Sequence, residues 1–347
     1  MTEPLTLTGP LRRRLCLSAA AASVAAPWLG ARAAQPAPQA TPKATPKAIA
    51  GGRTITLVVS YPAGGGADLM ARIVTPRLAE ALGQTVVVDN KPGASGQLAA
   101  SQVARATPDG STLLLDASSF AVNPSLYPRL PYDTAKAFTP LAVLATFPNV
   151  LVCTPSFEAQ SVRDVLRLAR AKPGELAYAS SGNGSAQHLA GALFEARAGV
   201  QLAHVPYRGG GPALNDVMGG QVPLFFANVA SSLGHIQAGK LRALAVTSRV
   251  RTRSLPDVPT MEQAGVAGYE VLEWNPVLAP AGLPEDTRLA LVAGIRRALA
   301  DPEVLGRVRQ LGGDVFADAS QASAGRFIRE QQALWAQVVR ERKISVG

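Results

Sequence analysis

The sequence predicts an α/β fold in two lobes, and three observations lead there. Strand and helix patterns alternate from residue 55 onward, which implies parallel sheets covered by helices on both faces. The chain has 347 residues, more than the roughly 250 to 300 that one core usually organises. Glycine-rich loops recur at strand-to-helix junctions in both halves, where open α/β sheets bind their ligands.

The chain opens with Arg12, Arg13 and Arg14, an apolar run over 15–30, and Ala31-Arg32-Ala33. Basic, apolar and small-residue regions in this order read as a secretory signal peptide, 1–33, cut after Ala33. A run of that length reaches roughly 24 Å, short of the roughly 30 Å of a bilayer core, so it does not read as an anchor. The paired arginines leave general secretory and twin-arginine export both open. Cys16 precedes most of the apolar run, which argues against a lipoprotein, and after cleavage Cys153 is left without a disulfide partner. Residues 34–53, rich in Pro, Ala, Thr and Lys, are expected to form a flexible linker. The expected location is the periplasm.

From residue 55 the elements follow in order. Residues 55–60 read as a buried strand, 68–82 as a helix and 85–89 as a strand. In that helix Leu69, Ile73, Val74, Leu78 and Leu82 share a face, and Pro76 is expected to bend it. Then come a helix at 96–105, a strand at 112–115 and a long apolar stretch at 141–152. Helices at 162–171, 186–198, 212–218 and 231–238 alternate with strands at 176–179, 202–205, 222–227 and 241–247. An extended segment at 269–278 precedes three helices, 286–300, 302–311 and 321–342, the last with Phe327, Ile328, Leu334, Trp335, Val338 and Val339 on one stripe.

The balance of 34 basic to 24 acidic residues, formally +10, favours anionic ligands. Nucleic acid is not an expected partner, because the one dense basic run, 249–253, has no interleaved aromatics and reads as a solvated loop. The loop from Tyr61 to Asp68 contains Ala63, Gly64 and Gly65 and lies between a buried strand and an amphipathic helix. It can present backbone N–H groups to an anion at the helix N-terminus, with Asp68 as a candidate cap. The other reading is a plain turn that uses glycine for backbone freedom. A dinucleotide fingerprint is excluded because the third glycine position is Leu69, and no phosphate loop of the GxxxxGK[ST] kind occurs.

A second such loop, 180–185, carries Gly182, Asn183 and Ser185, and a third, 207–212, carries Arg208 and Gly209, whose guanidinium can grip a carboxylate. Catalysis finds little support. No serine sits in G-x-S-x-G, and His188, His204 and His235 have no metal-binding spacing, so neither catalytic residues nor a metal or other cofactor are expected.

In order along the chain, 61–68 (YPAGGGAD), 89–96 (DNKPGASG), 123–127 (NPSLY), 178–185 (YASSGNGS) with His188 and Leu189, 205–209 (VPYRG), 239–248 (GKLRALAVTS) and 278–282 (LAPAG) closely resemble the tripartite tricarboxylate transporter solute receptors, the Bug family. The resemblance covers residue 55 to the C-terminus. It implies a periplasmic-binding-protein fold of type II, two α/β lobes with a ligand cleft and two crossing strands. Lobe 1 would comprise 54–150 and 272–347, and lobe 2 would comprise 151–271, with crossings at 141–152 and 269–278. It further implies a small carboxylate ligand held largely by backbone N–H groups and water, membrane permease subunits as partners, and a monomeric receptor. The family's ligand loops map onto Ala63, Gly64 and Gly65, onto Ser118 and Ser119, onto Gly182, Asn183 and Ser185, and onto Arg208 and Gly209, with Tyr61 and Asp68 bounding the first.

Two departures stand out. Relatives commonly show Phe-Asp-Asn where this chain has Phe226-Ala227-Asn228, and a glycine soon after the tryptophan that matches Trp274, where this chain has Asn275-Pro276. Loss of an acceptor at Ala227 suggests a mono- or dicarboxylate without an amino group, with Phe226 and Trp274 as apolar walls suited to an aromatic ligand. The alternative is that Asn228 supplies the missing acceptor through its carbonyl. Two other functions stay open: a ligand sensor for a membrane signalling partner, and a cofactor-free hydrolase or isomerase using His188 with a loop serine.

Overall fold

A computed structural model describes residues 49–341 and 344 of the protein. The expected signal peptide and the expected linker as far as residue 48 lie outside the described residues. The remainder of that linker is ordered into the fold. Ile49–Gly52 forms a 3-10 turn in which Ile49 is buried in the core. The Gln84 side chain accepts the Ile49 N–H at 2.7 Å and donates to the Ile49 and Arg53 carbonyls at 2.9 Å each. One buried apolar residue and the Gln84 amide thus hold residues 49–53 against the first core.

The first lobe is built on β1 (Ile55–Val59), β2 (Val86–Asn90) and β3 (Thr112–Leu115), all parallel, with β1 in the middle. Four of the five β1 positions have β-branched side chains, which suit a pleated surface buried on both faces. Between these strands run α1 (Gly66–Leu82) and α2 (Gln97–Ala104). α1 continues through Pro76 as one helix and ends on Gly83 in the left-handed conformation. α3 (Ser119–Leu126) follows β3 and was not expected from sequence.

β4 (Phe138–Cys153) then crosses from one lobe to the other, and β9 (Leu272–Pro280) returns beside it. Phe138 to Pro148 pair with β9, while Val150 to Cys153 pair with both β7 (Leu224–Asn228) and β8 (Arg242–Val246). The second lobe adds β5 (Ala177–Ser180), parallel to both β6 (Ala203–Pro206) and β7. Its helices are α4 (Val162–Ala171), α5 (Ala186–Ala198), α6 (Gly210–Met218) and α7 (Val229–Gln237). The strand order is β2-β1-β3-β9-β4-β7-β5-β6, so the crossing strand joins two sheets end to end.

The chain closes with α8 (Glu285–Leu299), α9 (Pro302–Gln310), the two-residue β10 (Asp314–Val315) on β4, and α10 (Gln321–Glu341). α8 and α9 pack on α1, burying Leu291, Ile295, Val304 and Val308 in the core of the first lobe. α10 departs from the expected lobe border. Its first half places Ala324 and Ile328 in the other core of the first lobe, and its second half places Trp335 and Val339 in the core of the second.

Candidate functional site

Five strand ends feed helix starts at one place. β1 leads through 60–65 into α1, β3 through 116–118 into α3, β5 into α5, β6 into α6 and β7 directly into α7. Two adjoining cavities lie among these junctions. The inner one, about 30 Å³, is bounded by Gly65, Gly66 and Ala67 of the first lobe, by Gly210, Asn228 and Ser231 of the second, and by Glu273 of β9. The outer one, about 220 Å³, lies between 92–96 of the first lobe and 181–183 and 206–209 of the second. Tyr61 and Ser181 line both.

Gly66, Ala67, Gly210 and Ser231 belong to the first turns of α1, α6 and α7, so their N–H groups are among the leading donors that a helix leaves without internal acceptors. Asn228 adds a side-chain donor. It is the N-cap of α7, where its Oδ1 accepts the Ala230 N–H at 2.9 Å, and its Nδ2, buried at the inner cavity, has no hydrogen-bond partner. Among the described residues, no lysine, arginine or histidine lines the inner cavity. Three helix N-termini and an unpaired amide make a dipolar cradle for a small anion, without a formal positive charge.

The lobes touch across this site. The Ser95 hydroxyl donates to the Asn183 carbonyl, and Gln187 of α5 donates from Nε2 both to Asn149 Oδ1 at 2.8 Å and to Glu273 Oε2 at 3.2 Å. Gly209 has φ 112°, and a Cβ there would stand 2.6 Å from the Pro62 ring. That close approach between lobes needs glycine both for the backbone conformation and for the space.

A sequence profile described as "Tripartite tricarboxylate transporter family receptor" matches residues 70–344. The chain belongs to the tripartite tricarboxylate transporter family of receptors. It is 36% identical over 291 residues to protein BugT of Bordetella pertussis, covering 83% of this chain and 89% of BugT. Two solved structures of Rhodopseudomonas palustris proteins superpose on the receptor. Rpa4515 with adipate has a TM-score of 0.81 and 36% identity, covering 84% of this chain and 98% of that one. MatC with bound malate has a TM-score of 0.78 and 32% identity, covering 82% and 98%. The fold is therefore the two-lobed α/β fold of periplasmic binding proteins, and the protein is a solute receptor and not an enzyme.

Within the receptor, the residues singled out from sequence separate into groups. Tyr61, Gly65 and Asn228 line the inner cavity, whereas Gly182, Asn183, Arg208 and Gly209 line only the outer one. Arg208 thus stands at the mouth and not at the cradle. Ala63 and Gly64 are exposed and line neither cavity. Asp68 does not cap α1, whose N-cap is Gly65 with no side-chain bond. Its carboxylate lies inside the first turn, accepting from Gly64 N–H and Arg72 at 2.9 Å each and from Asn90 at 3.0 Å. Burial raises its pKa, but these hydrogen bonds and the Arg72 charge outweigh burial and hold it below the ordinary carboxylate range. Asp68 shapes the loop from behind.

Ser119 accepts the Tyr61 hydroxyl at 3.1 Å, and Ser185 caps α5 by accepting the His188 N–H at 3.2 Å, so both position loops and neither lines a cavity. Ser118 likewise turns both its donors onto Glu273. Trp274 is no cleft wall. It is 1% exposed and meets Phe327 edge-on at 5.1 Å in the core of the first lobe. Phe226 packs on Tyr178 and Phe194 in the second lobe, and Ala227 faces the opposite core beneath α7. An acceptor at 227 would therefore point into the core, and Asn228, whose carbonyl is spent on its helix, offers the ligand a donor in place of an acceptor.

His188 lies outside both cavities, its ring stacked on His204 with centroids 4.1 Å apart and its Nδ1 accepting the Gly184 N–H at 3.0 Å. Burial pushes His188 down to about 4 and His204 down to about 3, so both are neutral structural rings. Sequence reasoning missed Ser95, Ser181, Gln187, Ser231 and Glu273. Glu273 alone carried a legible signal, as the one charged residue in the apolar crossing stretch 271–280.

Proposed function

We propose that this receptor, exported to the periplasm, closes its lobes over a small mono- or dicarboxylate lacking an amino group and hands it to the membrane permease of a tripartite tricarboxylate transporter. The observation that carries this reading is the unpaired Asn228 Nδ2 among helix N-termini from both lobes. A buried donor left unsatisfied costs about 1 to 3 kcal/mol, so the cradle is complete only when an acceptor enters it. Adipate and malate in the two superposed relatives are ligands of this chemistry.

An ammonium group finds poor reception. Among the described residues Glu273 is the only acidic side chain lining the inner cavity, and its Oε1 already accepts two donors from Ser118 while its Oε2 accepts Gln187. Calorimetric titration of succinate against aspartate, and of adipate against 2-aminoadipate, tests the reading. The amino compounds are expected to bind about 5- to 150-fold more weakly, the equivalent of one unpaired buried group. Equal or tighter binding of the amino acids would remove the selectivity, and turnover of any of these acids would remove the receptor.

A further inference from the structure

Two carboxyl groups lie at and behind the first-lobe wall of the cleft: Glu273 lines the inner cavity, and Asp116 stands behind the lining residues Ser60 and Ala117. Asp116 follows β3 directly, its N–H donated to the Pro276 carbonyl of β9, and its side chain is wholly enclosed. Its Oδ1 accepts the Ser60 hydroxyl and the Ala117 N–H, while its Oδ2 is buried without any partner. Glu273 is 5% exposed and reaches the inner cavity. Its Oε1 accepts the Ser118 N–H at 2.9 Å and the Ser118 hydroxyl at 3.0 Å.

The groups that face the pair from the surrounding elements are all uncharged: Ser60 and Tyr61 before α1, Ser118 at the start of α3, Tyr132 before β4, Gln187 of α5 and Asn275 of β9. Among the described residues no ion pair involves either carboxyl. Two negative charges in one water-poor enclosure, without a counter-cation, repel each other and lose hydration, so the favoured state retains a proton.

We infer that Asp116 and Glu273 form a proton-holding pair in the cleft wall, so that the receptor takes up its carboxylate ligand together with a proton and binds it more tightly as pH falls. The inference rests on the carboxylate reading above. Burial holds both groups above the ordinary carboxylate range, Asp116 at about 7, and the negative charge of Glu273 adds to the rise at Asp116. A ligand anion settling beside Glu273 raises the proton affinity of the pair further. By linkage, affinity is then highest where the pair already holds its proton, and it falls as pH rises through about 7 into the range where the free pair ionises. The dissociation constant should climb with pH by up to tenfold per unit.

The test is titration calorimetry of the full mature chain with adipate, from pH 6.5 to 8.5, in buffers of different ionisation enthalpy. A dicarboxylate free in solution is already ionised there, so proton uptake reports on the protein. The expected result is an uptake of between about half a proton and one proton per ligand at pH 7.5. Asp116→Asn, at a residue that lines neither cavity, should abolish the uptake and flatten the pH dependence, and Glu273→Gln, which keeps an acceptor for Ser118, should reduce both. Zero uptake with a pH-independent dissociation constant in the wild type would overturn the inference, as would an unchanged pH slope in the Glu273→Gln and Asp116→Asn double variant. Carbon-13 titration of the side-chain carboxyls in the ligand-free protein gives an independent arm. A carboxyl titrating above pH 6 that disappears in the variants is expected, and titration of both groups below pH 5 sinks the pair even if adipate binds. Raised titration without binding of adipate or malate at any pH would instead overturn the carboxylate reading, and the coupling with it.

Discussion

The side-chain amide of Asn228 has its oxygen committed to the α7 cap and its nitrogen turned to the cavity, so the two halves of one group can be tested apart. Asn228→Asp keeps an oxygen for the Ala230 N–H, and aspartate caps a helix about as well as asparagine. It replaces the donor facing the ligand with a second acceptor. The expected outcome is unchanged unfolding free energy and a loss of roughly 10- to 150-fold in affinity for adipate, the equivalent of one hydrogen bond to a charged group. Asn228→Ala should lose the affinity and also about 1 kcal/mol of stability, because the cap goes as well. Urea denaturation and calorimetry on the two variants separate the effects. Gly66 shows how close the approach is, since a Cβ there would lie 2.8 Å from that Asn228 nitrogen.

Among the elements, α10 has the widest reach. Trp335 is 6% exposed and packs into the second lobe, while Ile328, two turns earlier, packs into the first. Trp335→Ala should cost about 3 kcal/mol through the cavity it leaves, measured by urea denaturation. Most elements were legible in the sequence because their faces are sorted. α4 was read with its observed bounds because buried Val162, Val165 and Ala169 share a face opposite four charged residues. α3 was not, because Phe120, Ala121, Val122 and Asn123 are all buried on successive sides and Pro124 sits in the middle, leaving no period to find. At the site, glycine loops announced themselves by composition. What stayed hidden was which atoms they would spend on one another: Ser118 on Glu273, Ser185 on its own helix, and the Asp68 carboxylate on Gly64. Those pairings join residues up to 155 positions apart and follow from packing.

For the whole molecule the crossing strands are the connection about which the proposed closure would turn. β4 pairs with β9 in the first lobe and with β7 and β8 in the second, so the proposed closure would be absorbed where β4 passes from one sheet to the other, near Pro148 and Asn149. The Ser95 to Asn183 bond and the Gly209 to Pro62 approach both span the cleft, and opening of the lobes would break them. Small-angle scattering should therefore show the radius of gyration fall when adipate saturates the protein, and the fall should shrink in Gly209→Ala, whose methyl group would strike the Pro62 ring. An unchanged radius would remove closure as the response to ligand.

The cradle is divided between the lobes: α1 supplies donors from one side, and α6, α7 and Asn228 from the other. Under the proposed function, opening of the lobes would carry one set of donors away from the anion and let water reach the other. Unloading is in that sense a mechanical event. Under the proposed function, a membrane partner that levered the two lobes apart would empty the receptor without touching its cargo, and the affinity during delivery would be set by the angle at which that partner held them.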